Sequence, residues 1–313
     1  MKCSSISVII LTKNEAIHIA RAIYTVSSLN CKVFVVDSFS DDLTPEIAKD
    51  AGACVVQHKF INYALQFQWA LDNLPIESEW VMRLDADETL TSELIEEIKD
   101  KLHLLSQDIT GVVLRRRHIF LGRWIRHGGR YPLTLLRIWR KGAAKIEQRW
   151  MDEHMVLLYG RAVTFYHDFT DHNLNDLTFF TDKHNKYATR EAIDVLMTKY
   201  RICDDGPILN AETTSVQASA KRWVKSCIYN RLPIWLGPIL YFIYRYFFQL
   251  GFLDGREGLT YHFLQGFWYR FLVAAKVMEF DGALKPLPDE SARLAELAVR
   301  TGYVLSDLEW SRR

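Results

Sequence analysis

Ile6-Ser7-Val8-Ile9-Ile10-Leu11 and Val33-Phe34-Val35-Val36 are two short, nearly continuous apolar runs rich in β-branched residues. Runs of that kind, apolar without alternation and too short for helices, are strands buried on both faces, as in parallel sheets. Between them, 15–29 carries Ile19, Ala22, Ile23 and Val26 at helical spacing, so the unit is βαβ. Outward from it the spacing predicts a helix over 44–51, a strand over 54–57, a helix over 62–74 and a strand over 80–84. Alternation at this pace implies an α/β fold with a doubly wound, mostly parallel, Rossmann-like sheet and a ligand crevice at the carboxyl ends of its strands. Thr12, Asn14, Glu15, Asp37, Asp85 and Asp87 all fall at such ends.

Asp85-Ala86-Asp87-Glu88 follows the apolar run Trp80-Val81-Met82. If the strand continues, Asp85 and Asp87 point to one side, and two carboxylates held that close call for a hard divalent cation between them. A solvated turn or a helix cap is the competing reading, since Thr91-Ser92-Glu93 begins a helical pattern. No Gly-x-Gly-x-x-Gly or Gly-x-x-x-x-Gly-Lys-Ser/Thr sequence follows any predicted strand, so phosphate must be handled by a metal and by basic side chains. Basic residues cluster in Arg115-Arg116-Arg117 and on through Arg123, Arg126, Arg130, Arg137, Arg140 and Lys141. That run is either a solvated face or a surface for an anionic, phosphate-bearing ligand. A formal net charge of +1 over 313 residues argues against nucleic acid as a partner. The five cysteines show no metal-ligand spacing and read as reduced thiols, and the N-terminus has no signal-peptide pattern; both point to the cytoplasm.

After Lys101 the tempo changes. Strands are expected over 112–114, 135–139 and 161–166, a helix over 174–200, a polar linker over 204–218, and then an aromatic, helical stretch over 233–252. The expected division is residues 1–200, which the resemblance described below splits into 1–100 for the nucleotide-sugar and 101–200 for the acceptor and base, and 201–313, a helical C-terminal region. Thirteen uncharged residues, 232–244, are short of the roughly 20 a membrane span needs. A buried helix and a helix lying in the headgroup layer both fit them.

Three segments together carry a family resemblance: Ser7–Glu15, Val35–Thr44 and Trp80–Glu88 resemble, in order and spacing, the nucleotide-sugar motifs of family 2 glycosyltransferases. The middle portion, Gly122-Arg123-Trp124-Ile125 through Gly128–Pro132 to Arg137–Arg140, and Gly251-Phe252-Leu253-Asp254-Gly255-Arg256-Glu257-Gly258 are similar to a bacterial subfamily that extends lipopolysaccharide core, capsule or exopolysaccharide. The resemblance implies a GT-A fold, a nucleotide-sugar donor (UDP-linked most often), inversion at the anomeric carbon and Mg²⁺ or Mn²⁺. It assigns Thr12, Asn14, Glu15 and Asp37 to the nucleoside pocket, and Asp85 and Asp87 to the metal on the diphosphate. Arg130 and Arg137 are read as further donor contacts and His167 as a metal contact, with a purely structural histidine as the alternative. The base that takes the acceptor proton is Glu153, or its neighbour Asp152. A lipid-carried glycan acceptor and a place on the cytoplasmic face of the inner membrane follow from the same resemblance. A nucleotidyltransferase is the alternative enzyme, although Thr12-Lys13-Asn14-Glu15 lacks that class's glycine-rich loop; a noncatalytic nucleotide-binding scaffold is the alternative outside catalysis.

Overall fold

The computed structural model describes residues 6–147, 153–200, 202, 236–303 and 305. These divide into two compact units, one of the described residues up to Leu174 together with Leu253–Gly258, the other of the rest. In the first unit, β1 (Ile6–Thr12), β2 (Lys32–Asp37), β3 (Cys54–Gln57) and β4 (Trp80–Arg83) lie side by side in the order β3-β2-β1-β4, all parallel. The sheet continues through β8 (Leu133–Arg140), β6 (Ile109–Phe120), β11 (Arg161–His172) and β5 (Glu88–Leu90). Of these added pairings only β6 with β11 is parallel. A short strand β7 (Arg123–Trp124) folds back on β6, while β9 (Ala144–Ile146) and β10 (Met155–Leu157) pair separately.

The apolar runs are continuous because both faces of the sheet are covered. Val8, Ile10, Val35 and Met82 pack under α1 (Ile19–Val26), α2 (Thr44–Asp50) and α4 (Ser92–Lys101). Ile9, Phe34, Val36 and Val81 pack under α3 (Tyr63–Asn73). This is the expected doubly wound sheet of the GT-A type, with a helical C-terminal region. Helix starts are chemically marked: Asn62 and Thr91 accept the Leu65 and Leu94 N–H groups at 2.8 and 3.3 Å.

Three differences from expectation have local causes. Helix α1 begins at Ile19 rather than Glu15, because Asn14 is left-handed (φ 57°) and residues 12–15 are tied to the loop after β2. Strands β6 and β11 run 12 residues each, since Arg115, Arg116, Arg117 and His118 find carboxylate partners across the pair and the polar stretch stays in the sheet. Helix α5 (Leu177–Lys199), read as the end of the first domain, packs in the second unit against the helix Tyr269–Leu284, where Lys199 Nζ meets Asp281 at 2.6 Å. No helix among the described residues is long and apolar enough to cross a membrane. Cys31 is a free thiol, pushed up to about 11 by burial. Cys3, Cys203 and Cys227 lie outside the described residues.

Glu97 of α4 holds the irregular stretch of β11 in place. It accepts the N–H groups of Tyr166 and His167 at 3.0 and 2.9 Å, and Lys101 Nζ at 2.8 Å. Burial works against its charge, but these donors outweigh it and lower its pKa to about 2. A folded pKa below the ordinary value of about 4.3 means a contribution fully present above that pH and lost as pH falls through about 2. Glu97→Gln is therefore expected to cost about 2 kcal/mol in urea unfolding at pH 7. The difference from wild type should shrink between about pH 4 and pH 2, and a pH-independent difference would refute the assignment.

Candidate active site

Strand β4 ends at Arg83, and Asp85–Glu88 is a turn in which the Glu88 N–H donates to Asp85 O at 2.9 Å. Asp85 and Asp87 therefore do not alternate along a strand, and each has its own partners. Asp85 Oδ1 accepts from Tyr63 Oη at 2.6 Å and from Arg83 Nε at 3.2 Å, with Arg137 3.4 Å from Oδ2. Arg137 also donates to buried Glu88 Oε1 at 2.5 Å, while Glu88 Oε2 accepts the Asp85 N–H at 2.9 Å. The positive charge between these carboxylates is thus supplied by the chain's own guanidinium groups. Burial opposes ionisation of Asp85, but Arg83 and Arg137 outweigh it and hold its carboxyl well below the usual range. Glu88 is pushed up to about 8, by burial first and by the charges of Asp85 and Asp171, against the pull of Arg137. Glu88 is not the cap of α4, since Thr91 takes that place. Two further nitrogens of Arg137, Nε and Nη1, are buried without a hydrogen-bond partner, which a native interior tolerates rarely unless a ligand completes them.

The other expected donor contacts sit beside this turn at the carboxyl edge of the sheet. Thr12 and Asp37 are cross-strand neighbours, and Asp37, wholly buried, accepts from Thr12 Oγ1 at 3.0 Å and from the Ser40 N–H at 2.9 Å. Asn14 Oδ1 accepts the Asp41 N–H at 2.9 Å, and the Glu15 N–H donates to Thr44 Oγ1 at 2.8 Å. Glu15 Oε2 lies 2.5 Å from Nδ1 of buried His18, whose Nε2 accepts the Leu174 N–H at 2.9 Å. That acceptor role places the His18 proton on Nδ1. Asp37 and Asn14 thus fix the two loops to each other, leaving their rims to face the crevice.

The basic run is divided rather than massed. Arg115 and Arg117 pair with Asp168 at 3.4 and 2.8 Å, and Arg116 and His118 with Asp171 at 3.3 and 3.1 Å. Arg140 is bound to Glu79 and to Ile109 O. Arg130 is half-buried in the loop between β7 and β8. His167 is not brought to the Asp85–Asp87 turn. Its Nδ1 lies 3.0 Å from Glu97, and the register sets Asp171 opposite Glu88, with the His172 N–H donating to Asp87 O at 3.0 Å. It is His172, at the strand end, that adjoins Asp87; its pKa is lowered by burial first, then by Arg21. Residues that sequence reasoning missed are Tyr63, Arg83, Arg21 and Asn173, whose Nδ2 donates to Asp87 Oδ2 at 3.0 Å. The only signal for Arg83 and Asn173 was their nearness in sequence to Asp85 and His172. Glu153 is half-buried just ahead of β10, and Asp152 lies outside the described residues.

Among the described residues no three His, Cys, Asp or Glu side chains converge to hold a metal. Asp87, with Asp85 beside it, offers the hard oxygen donors that suit Mg²⁺ or Mn²⁺ when phosphate oxygens and water complete the shell. The chain fits a divalent ion as part of such a shared site, without His167.

This edge geometry defines an α/β protein with a doubly wound sheet and a cluster of charged turns at its carboxyl edge. The Glycosyl transferase family 2 model matches residues 7–193, more than half of the chain, and the protein belongs to that family. An uncharacterized glycosyltransferase of Rickettsia felis is 44% identical over 94 residues, 30% of this chain and 32% of the relative. One of Rickettsia prowazekii is 43% identical over 94 residues, again 30% and 32%. The chain thus spans about a third of the length of the curated relatives it matches. Mannosyl-3-phosphoglycerate synthase from Rubrobacter xylanophilus aligns at TM-score 0.32 and 20% identity, covering 36% of this chain and 40% of that one. Glucosyl-3-phosphoglycerate synthase from Mycobacterium tuberculosis, solved with Mn²⁺ and UDP, aligns at 0.31 and 22%, covering 37% and 44%.

Arg137 and Asp87 should separate on removal. Arg137→Leu leaves buried Glu88 without its guanidinium partner and is expected to cost about 3 kcal/mol in chemical unfolding. Asp87→Ala, at a half-buried turn, should cost no more than about 1 kcal/mol. Equal losses from the two would contradict the charge network described above.

Proposed function

We propose that the protein is a cytoplasmic, inverting glycosyltransferase that moves a sugar from a nucleotide-sugar donor, UDP-linked, to a glycan acceptor on a lipid carrier in bacterial surface polysaccharide synthesis. The observation that carries this reading is the meeting of the Thr12–Glu15 loop, the Asp37 turn and the Asp85–Glu88 turn along one sheet edge, with buried Arg137 N–H groups unpaired there. Thr12, Asn14, Glu15 and Asp37 shape the nucleoside pocket. Arg130 and Arg137 meet the diphosphate; unpaired buried donors gain more from an anion than solvated ones do. A divalent ion held by Asp87 and Asp85 would neutralise the leaving diphosphate. Glu153, or Asp152 beside it, accepts the acceptor hydroxyl proton as that oxygen attacks the face of the sugar opposite the diphosphate. The β1–α1 loop, without glycine, disfavours the nucleotidyltransferase alternative, and retention of both acidic residues of the turn disfavours a noncatalytic scaffold. The deciding experiment is incubation with a panel of sugar nucleotides, with and without Mn²⁺, following nucleoside diphosphate release; no release from any donor retires the reading.

Within that scheme Asp87→Ala should abolish transfer. Glu153→Gln should lower kcat on the order of 10²–10⁴-fold with the donor KM little changed, because a base acts in the transition state. If Asp152→Asn shows that signature instead, the base is its neighbour.

Support for a membrane-facing acceptor comes from the second unit. Leu240, Tyr244, Phe247, Phe248 and Leu250 are 46–74% exposed, and no acidic residue occurs from Leu236 to Phe252. Aromatic side chains outside the core and free of acidic neighbours suit the headgroup layer. Trp235, Lys221, Arg222, Lys225 and Arg231, expected to join this surface, lie outside the described residues, and Arg245 is buried against Gln265. The protein is expected to co-sediment with anionic liposomes, and Phe247→Ser with Phe248→Ser should reduce the bound fraction by about tenfold. Binding unchanged in that double variant would remove the aromatic surface from the contact.

A further inference from the structure

The motif Gly251–Gly258 was singled out in the sequence but has no chemical role in the scheme above. Its residues Leu253–Gly258 belong to the first unit. Asp254 is 3% exposed and binds one residue twice, 127 positions away: Oδ2 accepts the His127 N–H at 2.8 Å and Oδ1 accepts from His127 Nδ1 at 2.7 Å. Arg123 donates to Leu253 O at 3.3 Å and lies 3.7 Å from Glu257. Between them Gly255 is left-handed (φ 71°), and a Cβ there would stand 2.9 Å from Arg123 Nη1, so the backbone passes flush against that guanidinium.

Arg123 and His127 are both on the connection from β6 to β8, whose two ends are held by the β7–β6 pairing and by Tyr131 Oη on Asp168 at 3.0 Å, while Asp254 ties its middle. Leu121, Gly122, Gly128 and Gly129 all have positive φ, and three of the four are glycines, which lose the most freedom on ordering. Ordering each loop residue costs about 1–2 kcal/mol. A buried carboxylate that accepts two hydrogen bonds offsets part of that cost. The loop also carries Arg126, stacked 5.3 Å from Trp124, together with Arg130 and Tyr131. Its Ile125 N–H donates to His118 O at 2.9 Å, and His118 pairs across β11 with Asp171, opposite Glu88. The loop therefore leaves the sheet at the edge that carries the Asp85–Glu88 turn.

We propose that Asp254 is a positioning residue: through His127 it holds the Leu121–Pro132 loop in the conformation that presents Arg130 to an anionic ligand. The ligand part rests on the glycosyltransferase reading, whereas the clamp itself does not. Limited trypsin digestion of the full chain reports loop order through cleavage after Arg123, Arg126 and Arg130. Asp254→Ala is expected to raise that cleavage by about tenfold, and His127→Ala, which keeps the backbone hydrogen bond, by about threefold. Because the two act through each other, adding His127→Ala to Asp254→Ala should change little. With UDP-glucose, or whichever sugar nucleotide the panel selects, Asp254→Ala should raise the donor KM by about tenfold while kcat falls far less. Wild-type cleavage rates in a folded Asp254→Ala protein, or additive effects in the double variant, would overturn the proposal. Should Asp254→Ala fail to fold, unchanged cleavage in His127→Ala overturns it equally. If the wild type turns over no sugar nucleotide, the functional reading fails while the digestion still decides the clamp.

Discussion

Two arginines and two carboxylates, packed where β4 ends beside the middle of β8, hold the Asp85–Glu88 turn in place. Arg83 and Arg137 are separately anchored, Arg83 4.3 Å above the Tyr63 ring and Arg137 5.0 Å above the Phe169 ring. Asp85 and Glu88 close the turn onto them. Charges this far from water are tolerable only as a complete set, since removal of one leaves its partner uncompensated. The antiparallel register of β4 and β8, Met82 against Ile138, brings Arg83 and Arg137 to the same end of the pair. A slip by one residue would send Arg137 to the opposite face and leave Glu88 buried without a counter-charge. The network therefore fixes strand register, and strand register in turn fixes where Asp87 stands.

The same logic of strand ends extends across the sheet. Thr12 and Asp37 touch because β1 and β2 are parallel and in register to their last residues, so the loops that leave them start side by side. Asp87 sits beside His172 because β5 pairs antiparallel with the last turn of β11. Each contact at the edge is inherited from the ladder behind it, and the loops after β1 and β2 add hydrogen bonds of their own to it.

Strands buried on both faces declare themselves by composition, and β1, β2 and β4 were legible for that reason; β3, at the sheet edge and half-buried, was legible from its place in the alternation of strands and helices. The helix starts near Asn62 and Thr91 were legible as well, but not which residue caps α4. The carboxylates at strand ends were legible too, but not their partners. An Asp-x-Asp sequence read as strand suggests two equivalent carboxylates, and only the fold reveals that Asp85 meets Tyr63, Arg83 and Arg137 while Asp87 meets Asn173. His167 and His172 flank the same short polar stretch, and nothing in the sequence says which reaches Asp87. The irregular stretch before Asp168, held by Glu97 from another helix, decides it. Asp254 was visible as part of a motif, but its partner lies 127 residues away.

The division of the basic run also bears on how an anion is held here. Arg115, Arg116, Arg117 and Arg140 look like a cationic surface in the sequence, yet each is matched by Asp168, Asp171 or Glu79. The near-zero net charge is thus reproduced locally, and little long-range field remains to draw in a polyanion. Buried donors such as the Nε and Nη1 groups of Arg137, held beside Glu88 and Asp85, would meet an anion away from solvent. Interactions of that kind are screened far less by salt than those of exposed charges, and they reward correct geometry rather than charge alone.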